Sequence, residues 1–433
     1  MLMRRLFTLI IAAVALCTAA AAQEPITAVV KAEGTLSQVL GDNIEQITSL
    51  IVEGPINDTD FITLNKMTTN GSLTHLDLSK AKIAGDAIPE RAFYTDYTNP
   101  ATKLTSVILP EGLKSIGELA FQGGLLESVN LPSTLTKIGV QAFAFCKHLK
   151  GEITIPPGIT EIPNHTFYRC VSLEKVVFSE GLVSIGRSAF ESCEEIKEFN
   201  FPATLRTLEN DCLRFTGITS ITIPETCKVL GFSALAGNFE LETLIIQSTC
   251  DIPVNFAASC EGLNHLELAE GIRVIGAYAF RGAGLRSVTI PKSVIIIENN
   301  AFDCVDLTKV YSLASNPRKG VYYENSFGDN DVTLFVPYGS AYDYSRTTGW
   351  WSGFTNIVEV DMAGAEDAVA DSDIAVRAEG GRIVITADDV PYSVFTADGR
   401  TIATGRAAGT ATVEAAPGLY IVRAGATTAK VRL

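Results

Sequence analysis

Eight of the nine cysteines (Cys146, Cys170, Cys193, Cys212, Cys227, Cys250, Cys260, Cys304; the ninth, Cys17, lies in an N-terminal apolar run) and four histidines (His75, His148, His165, His265) are the side chains of this sequence best suited to metal binding or nucleophilic chemistry. A structural or catalytic metal needs three or four such ligands brought to one point. No metal-binding spacing, nucleophile elbow, phosphate loop or dinucleotide fingerprint occurs, and GFSAL around Ser233 lacks the second glycine of a hydrolase turn. Asp329-Asn330-Asp331 offers three close polar groups, fewer than the six or more oxygens that calcium takes, and reads as a loop turn. The sequence therefore predicts no catalysis, no cofactor and no metal site. Any function has to come from a surface.

The elements that would build that surface are repeats. LTSVILPEGLKSIGELAF from Leu104, LESVNLPSTLTKIGVQAFAFC from Leu126, LEKVVFSEGLVSIGRSAFESC from Leu173 and LRSVTIPKSVIIIENNAFDC from Leu285 share one register, with weaker copies from Leu149, Ile196, Ile218, Leu241 and Leu263. The closing residues are read as Phe121, Phe143, Phe167, Phe190, Leu213, Leu235, Phe256, Phe280 and Phe302, 21 to 24 residues apart. In LxxVxL alternate side chains share one face, which predicts a short half-buried strand. Proline follows at Pro110, Pro132, Pro156, Pro202, Pro224 and Pro291, and having no N–H it ends the strand. The IG pair then predicts a turn in which glycine takes a conformation other residues resist. One such coil cannot close its own core. Stacking coil on coil buries the Leu, Val, Ile and Phe columns and pairs the strands in parallel.

This register also gives the cysteines a place. Cys146, Cys170, Cys193, Cys260 and Cys304 stand three residues before the next coil's first apolar residue; Cys212 takes the small-residue position, and Cys227 and Cys250 share the apolar position before the turn. Column neighbours would lie ~4.8 Å apart, within disulfide range, but stacked side chains point the same way, which favours buried free thiols over disulfides. His75 and His265 occupy equivalent strand positions many coils apart, too far to share an ion.

These repeats resemble the BspA-like leucine-rich repeats of bacterial surface proteins, over roughly residues 73–359. The resemblance implies a leucine-rich-repeat solenoid of about 23 residues per coil: an N-terminal cap over 23–72, repeats over 73–310 and a C-terminal cap over 311–360. Trp350, Trp351 and Phe354 in that last cap read as core, with a ligand-stacking patch as the alternative. The resemblance further implies a non-enzymatic binding module engaging host matrix proteins, cell-surface proteins or surface glycans. The alternative is a structural or accessory envelope protein without a host ligand. Each strand exposes two side chains beside its central apolar residue. Along the stack these form a strip, with Lys175, Val177, Glu198, Asn200, Thr222, Thr243, Ile245, His265, Glu267 and Thr289 as the candidate ligand-binding residues, among which Ile245, His265 and Glu267 are the expected anchors.

The chain ends predict export. Arg4 and Arg5, the apolar run Leu6 to Leu16 and Ala20-Ala21-Ala22 read as a signal peptide over residues 1–22, with lipidation at Cys17 as the alternative; no second run is long enough to span a bilayer. The formal charge of −15, two units more negative once Arg4 and Arg5 are removed, disfavours nucleic acid. Residues 361–373 are small and acidic, a linker. Residues 374–433 alternate in short runs and predict a small all-β, Ig-like sandwich. Its motifs VFTADGR, PGLYIVRA and KVRL, with Asp398, Gly399, Arg400, Gly418, Tyr420 and Lys430, resemble the sorting domain of type IX secretion cargo. That likeness implies recognition by the outer-membrane export machinery, the alternative being an ordinary stalk module.

Overall fold

The computed structural model of the chain describes residues 24–360, except 97, 99–100, 318–324, 329–330, 347–350 and 352, and residues 375–433, except 380, 397–399 and 425–426. The signal segment, the linker, Trp350, Asp329, Asn330, Asp398 and Gly399 lie outside them.

The sheet that the repeats build begins before the first of them. Strand Ile26–Val29 pairs in parallel with Ser49–Ile56, which pairs with His75–Ile83, so that Leu50, Leu76, Val107 and Val129 fall in one inward column. Helix Asp58–Thr69 returns the chain between the second and third of these strands. Asn57 caps it, accepting from Thr59 N, and Asp60 completes the capping box by accepting from Asn57 N. The Asp60 carboxylate also accepts from Gly34 N and Leu36 N at 2.7 and 2.9 Å, tying the preceding loop to the helix from a position only 1% exposed. A charge so deeply buried is tolerated because three backbone donors replace its water.

Most later coils have two strands rather than one, an isolated bridge replacing one of them at Glu198 and at Ile252. After the first strand the proline carbonyl accepts from the residue three further on, as in Leu113 N to Pro110 O and Leu135 N to Pro132 O, forming the tight turn. A two-residue strand follows, and these stack in their own parallel ladders: Ala87–Ile88 with Ser115–Ile116 and Lys137–Ile138, then Glu161–Ile162 through Ser184–Ile185 and Thr207–Leu208 to Val229–Leu230.

The role expected for the IG glycines is corrected by the geometry. Gly117 and Gly139 do not have positive φ; a Cβ on them would come within 2.5 and 2.4 Å of backbone nitrogen in the preceding coil. They are needed for close approach of coil to coil. The left-handed conformation falls two residues later, on side-chain-bearing residues such as Leu119, Gln141, His165, Ser188 and Tyr278 at φ of 51 to 60°.

The core is a set of columns. Phe93, Phe121, Phe143, Phe167 and Phe190 stack ring on ring with centroids 5.3–5.4 Å apart, and Phe280, Phe302 and Phe327 resume the ladder. Each such pair contributes about 0.5–1.5 kcal/mol beyond the area it buries. One closing residue is corrected. Leu235 N donates to Phe256 O and Ala257 N to Ala279 O, the pattern that elsewhere links a closing residue to the small residue of the next coil. Ala257 therefore occupies the phenylalanine column and Phe256 the small-residue column, both fully buried. The cause is a deletion: Leu244 to Ile252 is one residue shorter than the matching Ile221 to Leu230.

Over the last coils Trp351 is 3% exposed, lies 5.0 Å from Tyr344 edge to face and stacks on Phe327 at 6.2 Å; Phe354 joins it at 5.9 Å. The Tyr344 hydroxyl donates to Ala314 O, and burial pushes its pKa up to about 12. These rings are packed as core.

Residues 375–433 have a separate core of Ile383, Ile385, Val394, Ala407, Val413, Tyr420, Val422, Ala424 and Val431. The expected two-sheet sandwich is corrected. Strands Ala375–Glu379, Arg382–Thr396, Thr401–Glu414, Leu419–Ala424 and Thr427–Arg432 belong to one antiparallel sheet that nearly closes on itself. Two long strands make this possible. The register of Arg382–Thr396 against Thr401–Glu414 shifts between Ala387 and Val390, so one hairpin bends and serves both halves of the sheet.

Candidate binding face

The parallel strands set the strip residue by residue. Pairing of Thr222 with Ile245, Thr243 with His265 and Ile245 with Glu267 brings the centre of the expected strip together. There the His265 Nε2 lies 2.8 Å from Glu267 Oε1, beside the half-buried Ile245. An apolar side chain next to a hydrogen-bonded polar pair gives one contact that gains by desolvation and one that fixes orientation.

Around this centre the placement varies. Lys175 is exposed but engaged by Glu152 at 3.1 Å, and Val177 is half-buried. Glu198, Asn200 and Thr222 are exposed, while Thr243 and Thr289 are half-buried. Lys175 and Thr289 stand five coils apart, about 24 Å at ~4.8 Å per strand, so one small ligand does not reach both.

One residue of the face, Phe335, was missed. Tyr311 pairs in register with Phe335, and their rings stack with centroids 4.7 Å apart. Burial against this neighbour raises the Tyr311 pKa. Thr289, on the other side of Tyr311, has a buried hydroxyl with no hydrogen-bond partner among the described residues. The signal was present in TLFVP, whose alternation extends both outward columns by one coil, but the segment read as a cap.

The cysteines form a packed ladder. The thiols of Cys146, Cys170, Cys193, Cys260 and Cys304 donate to the carbonyls of Phe121, Phe143, Phe167, Leu235 and Phe280, each in the preceding coil, at 3.1–3.3 Å. Asn238 stands in the same column, buried, and donates to Leu213 O. None of the eight is in a disulfide. Burial pushes Cys146, Cys260 and Cys304 up to about 12 and raises Cys170, Cys193 and Cys212 as well. A thiol so hard to ionise is a poor nucleophile and a poor metal ligand. Among the described residues no three His, Cys, Asp or Glu side chains are placed to hold a metal ion, and no helix is long and apolar enough to cross a membrane.

In the C-terminal sheet, Arg400 closes the hairpin at Thr396: Thr396 N donates to Arg400 O at 2.9 Å and Arg400 N to Thr396 Oγ1. Gly418 and Leu433 exchange backbone hydrogen bonds, Tyr420 donates to Ala416 O, and Lys430 pairs with Ile421 in the last strand. These residues hold strand ends together.

Solved structures with similar chains include a leucine-rich repeat protein from Bacteroides ovatus (22% identity, TM-score 0.45, covering 62% of this chain and 79% of that one). Others are a leucine-rich cell surface protein from Faecalibacterium prausnitzii (22%, 0.36, 63% and 82%) and the pneumococcal vaccine antigen PcpA (18%, 0.38, 67% and 85%). A search of curated proteins gave no match. The BspA type leucine-rich repeat region matches in six copies over residues 86–216, 149–255 and 184–308. With more than half its length so matched and every coil closed by the same columns, the chain belongs to the BspA-type leucine-rich repeat family.

Proposed function

We propose that the chain is an exported, cell-surface protein that binds other proteins through its long-strand face, with adhesion to host matrix or cell-surface proteins as the outcome and no catalysis. The observation that carries this is the register of the exposed columns, which lines up Thr222, Ile245 and Glu267 in one parallel sheet and Thr289, Tyr311 and Phe335 in the next. A repeat stack presents such a strip rigidly, so little conformational entropy is lost on binding. Export rests on the basic and apolar N-terminal residues, and the C-terminal sheet is read as a type IX sorting domain on the VFTADGR and PGLYIVRA motifs.

The test is binding of the purified chain to immobilised extracellular-matrix proteins. Combined Ile245→Ala, His265→Ala and Glu267→Ala should weaken the interaction about tenfold or more, or ~1.4 kcal/mol, with the thermal midpoint retained. Unchanged affinity would remove the strand-face reading. Equal adherence by cells with and without the chain would favour an accessory envelope role. Separately, deletion of residues 376–433 should block surface delivery if the last sheet is a sorting domain.

A further inference from the structure

The one-residue deletion that shifts Phe256 also interrupts the short-strand ladder. Glu161–Ile162, Ser184–Ile185, Thr207–Leu208 and Val229–Leu230 pair one after another, and Ile252 bridges onward to Ile275, but among the described residues no strand pairing joins Val229–Leu230 to the coil of Ile252. Cys227 stands on one side of this break and Cys250 on the other.

Side chains reach across where the short strands do not. Ser248 Oγ donates to Cys227 O at 2.8 Å, and the Cys250 thiol approaches the same carbonyl at 3.6 Å. Ser248 is fully buried and accepts from Cys250 N at 3.2 Å, while Cys250 itself is half-exposed. The Cys250 sulfur therefore lies against the residue that carries the second thiol and still meets solvent. A coil spacing of ~4.8 Å, even with a one-residue offset along the chain, keeps the two Cα atoms inside the roughly 4.4–6.8 Å that a disulfide spans.

The ladder thiols are placed differently. Cys146, Cys170 and Cys193 also occupy successive coils, but each is fully buried and donates back to one carbonyl of the coil before it at 3.1–3.2 Å, so their sulfurs point the same way. Cys227 is shared between Arg206 O at 3.6 Å and Val229 O at 3.4 Å, longer contacts that commit its side chain to neither acceptor. Burial raises its pKa to about 11, against about 12 for Cys146, Cys260 and Cys304.

We propose that Cys250 and Cys227 form a dithiol site that a small-molecule disulfide oxidises, closing a cross-link over the break in the ladder. The Cys250 thiolate attacks one sulfur of R–S–S–R; a Cys250–S–S–R bond forms, and the first RS⁻ leaves and takes up the proton that Cys250 gave. Cys227 then loses its proton and attacks the Cys250 sulfur, and the second RS⁻ leaves with that proton. Two protein thiols are oxidised to one disulfide and one small disulfide is reduced to two thiols, with no other reactant. The half-exposed Cys250 meets the reagent first, and Cys227 resolves the mixed disulfide from the neighbouring coil.

The experiment incubates the reduced, folded chain with oxidised glutathione at about pH 8.5 and maps the linked peptides by mass spectrometry without reduction. The expected product is a Cys227–Cys250 link, reversed by a thiol reductant, with the ladder thiols still free. Cys227→Ala should stop the reaction at Cys250 carrying one glutathione, and Cys250→Ser should leave Cys227 free. In the linked chain, hydrogen exchange at Val229–Leu230 should slow about tenfold, because the cross-link holds the two coils together where the ladder does not. The proposal is overturned if the parent, folded by circular dichroism, forms no link, if its Cys250 stays as the mixed disulfide, if Cys227 links to Cys212 instead, or if the linked chain exchanges at Val229–Leu230 as fast as the reduced one.

Discussion

A buried thiol in this chain does two jobs at once: it fills a column and it donates to a carbonyl of the coil before it. The hydrogen bond is weak, and most of these carbonyls accept a second donor as well, as Phe143 O does from Cys146 N and Leu235 O from the Asn238 side chain, so the thiol fills a remaining lone pair. The same burial predicts reactivity. With Cys146, Cys260 and Cys304 held near pKa 12, alkylation of the native chain at pH 8 should label the half-exposed Cys250 first and leave the ladder thiols until denaturant is added. Mass spectrometry of the labelled peptides checks this, and rapid native labelling of the ladder would contradict the packing. The raised values also set a sign for stability. Above pH 9 the unfolded chain loses thiol protons that the folded chain keeps until about pH 12. Stability is therefore full below pH 9 and falls through that window, by about 1.4 kcal/mol per pH unit for each such thiol.

The coil is the unit at the next scale, and its legibility in the sequence was uneven. The strand, its proline stop and the phenylalanine column were readable because each depends on side-chain type: alternation, a missing N–H, a large ring. Phe256 was misplaced because aromatic identity was followed where backbone register decides, and a one-residue deletion separated the two. The second short strand was invisible, since two residues are too few to show a period. The turn glycines were recognised as special for the wrong physical reason, and the strip missed Phe335 because that residue falls in the segment read as a cap. The left-handed residues explain what the turn does tolerate. Gln141, at φ of 56°, occupies a conformation that costs an L-residue about 1–2 kcal/mol. Gln141→Gly should therefore hold or raise the thermal midpoint, because relief of that strain offsets the added freedom of the unfolded chain. Gln141→Val should lower it, since a β-branched side chain suits this region least. Thermal denaturation of the two variants tests the pair, and a valine variant as stable as the glycine one would argue against a strained column.

At the scale of the whole molecule, contacts among the described coils run mainly between neighbours, so the ends of the stack carry disproportionate weight. Stability in such a stack is close to a sum of coil and interface contributions, and an uncovered last coil exposes both apolar columns and a strand edge. Trp351 is the keystone of the C-terminal cover: it touches Phe327, the last ring of the ladder, as well as Tyr344 and Phe354. Truncating a buried tryptophan costs about 3–5 kcal/mol locally. In a cooperative globule that loss would be shared by every amide. Here it should be graded along the stack. In Trp351→Ala, hydrogen exchange should accelerate strongly in Lys309–Ser312 and Thr333–Pro337, less in Ser287–Ile290, and little in Ser106–Ile108 or in helix Asp58–Thr69. Thermal unfolding should broaden or split, with an early phase belonging to the last coils. Uniform acceleration across all strands would instead mean that the solenoid unfolds as one unit, with coil interfaces strong enough to couple one cap to the other.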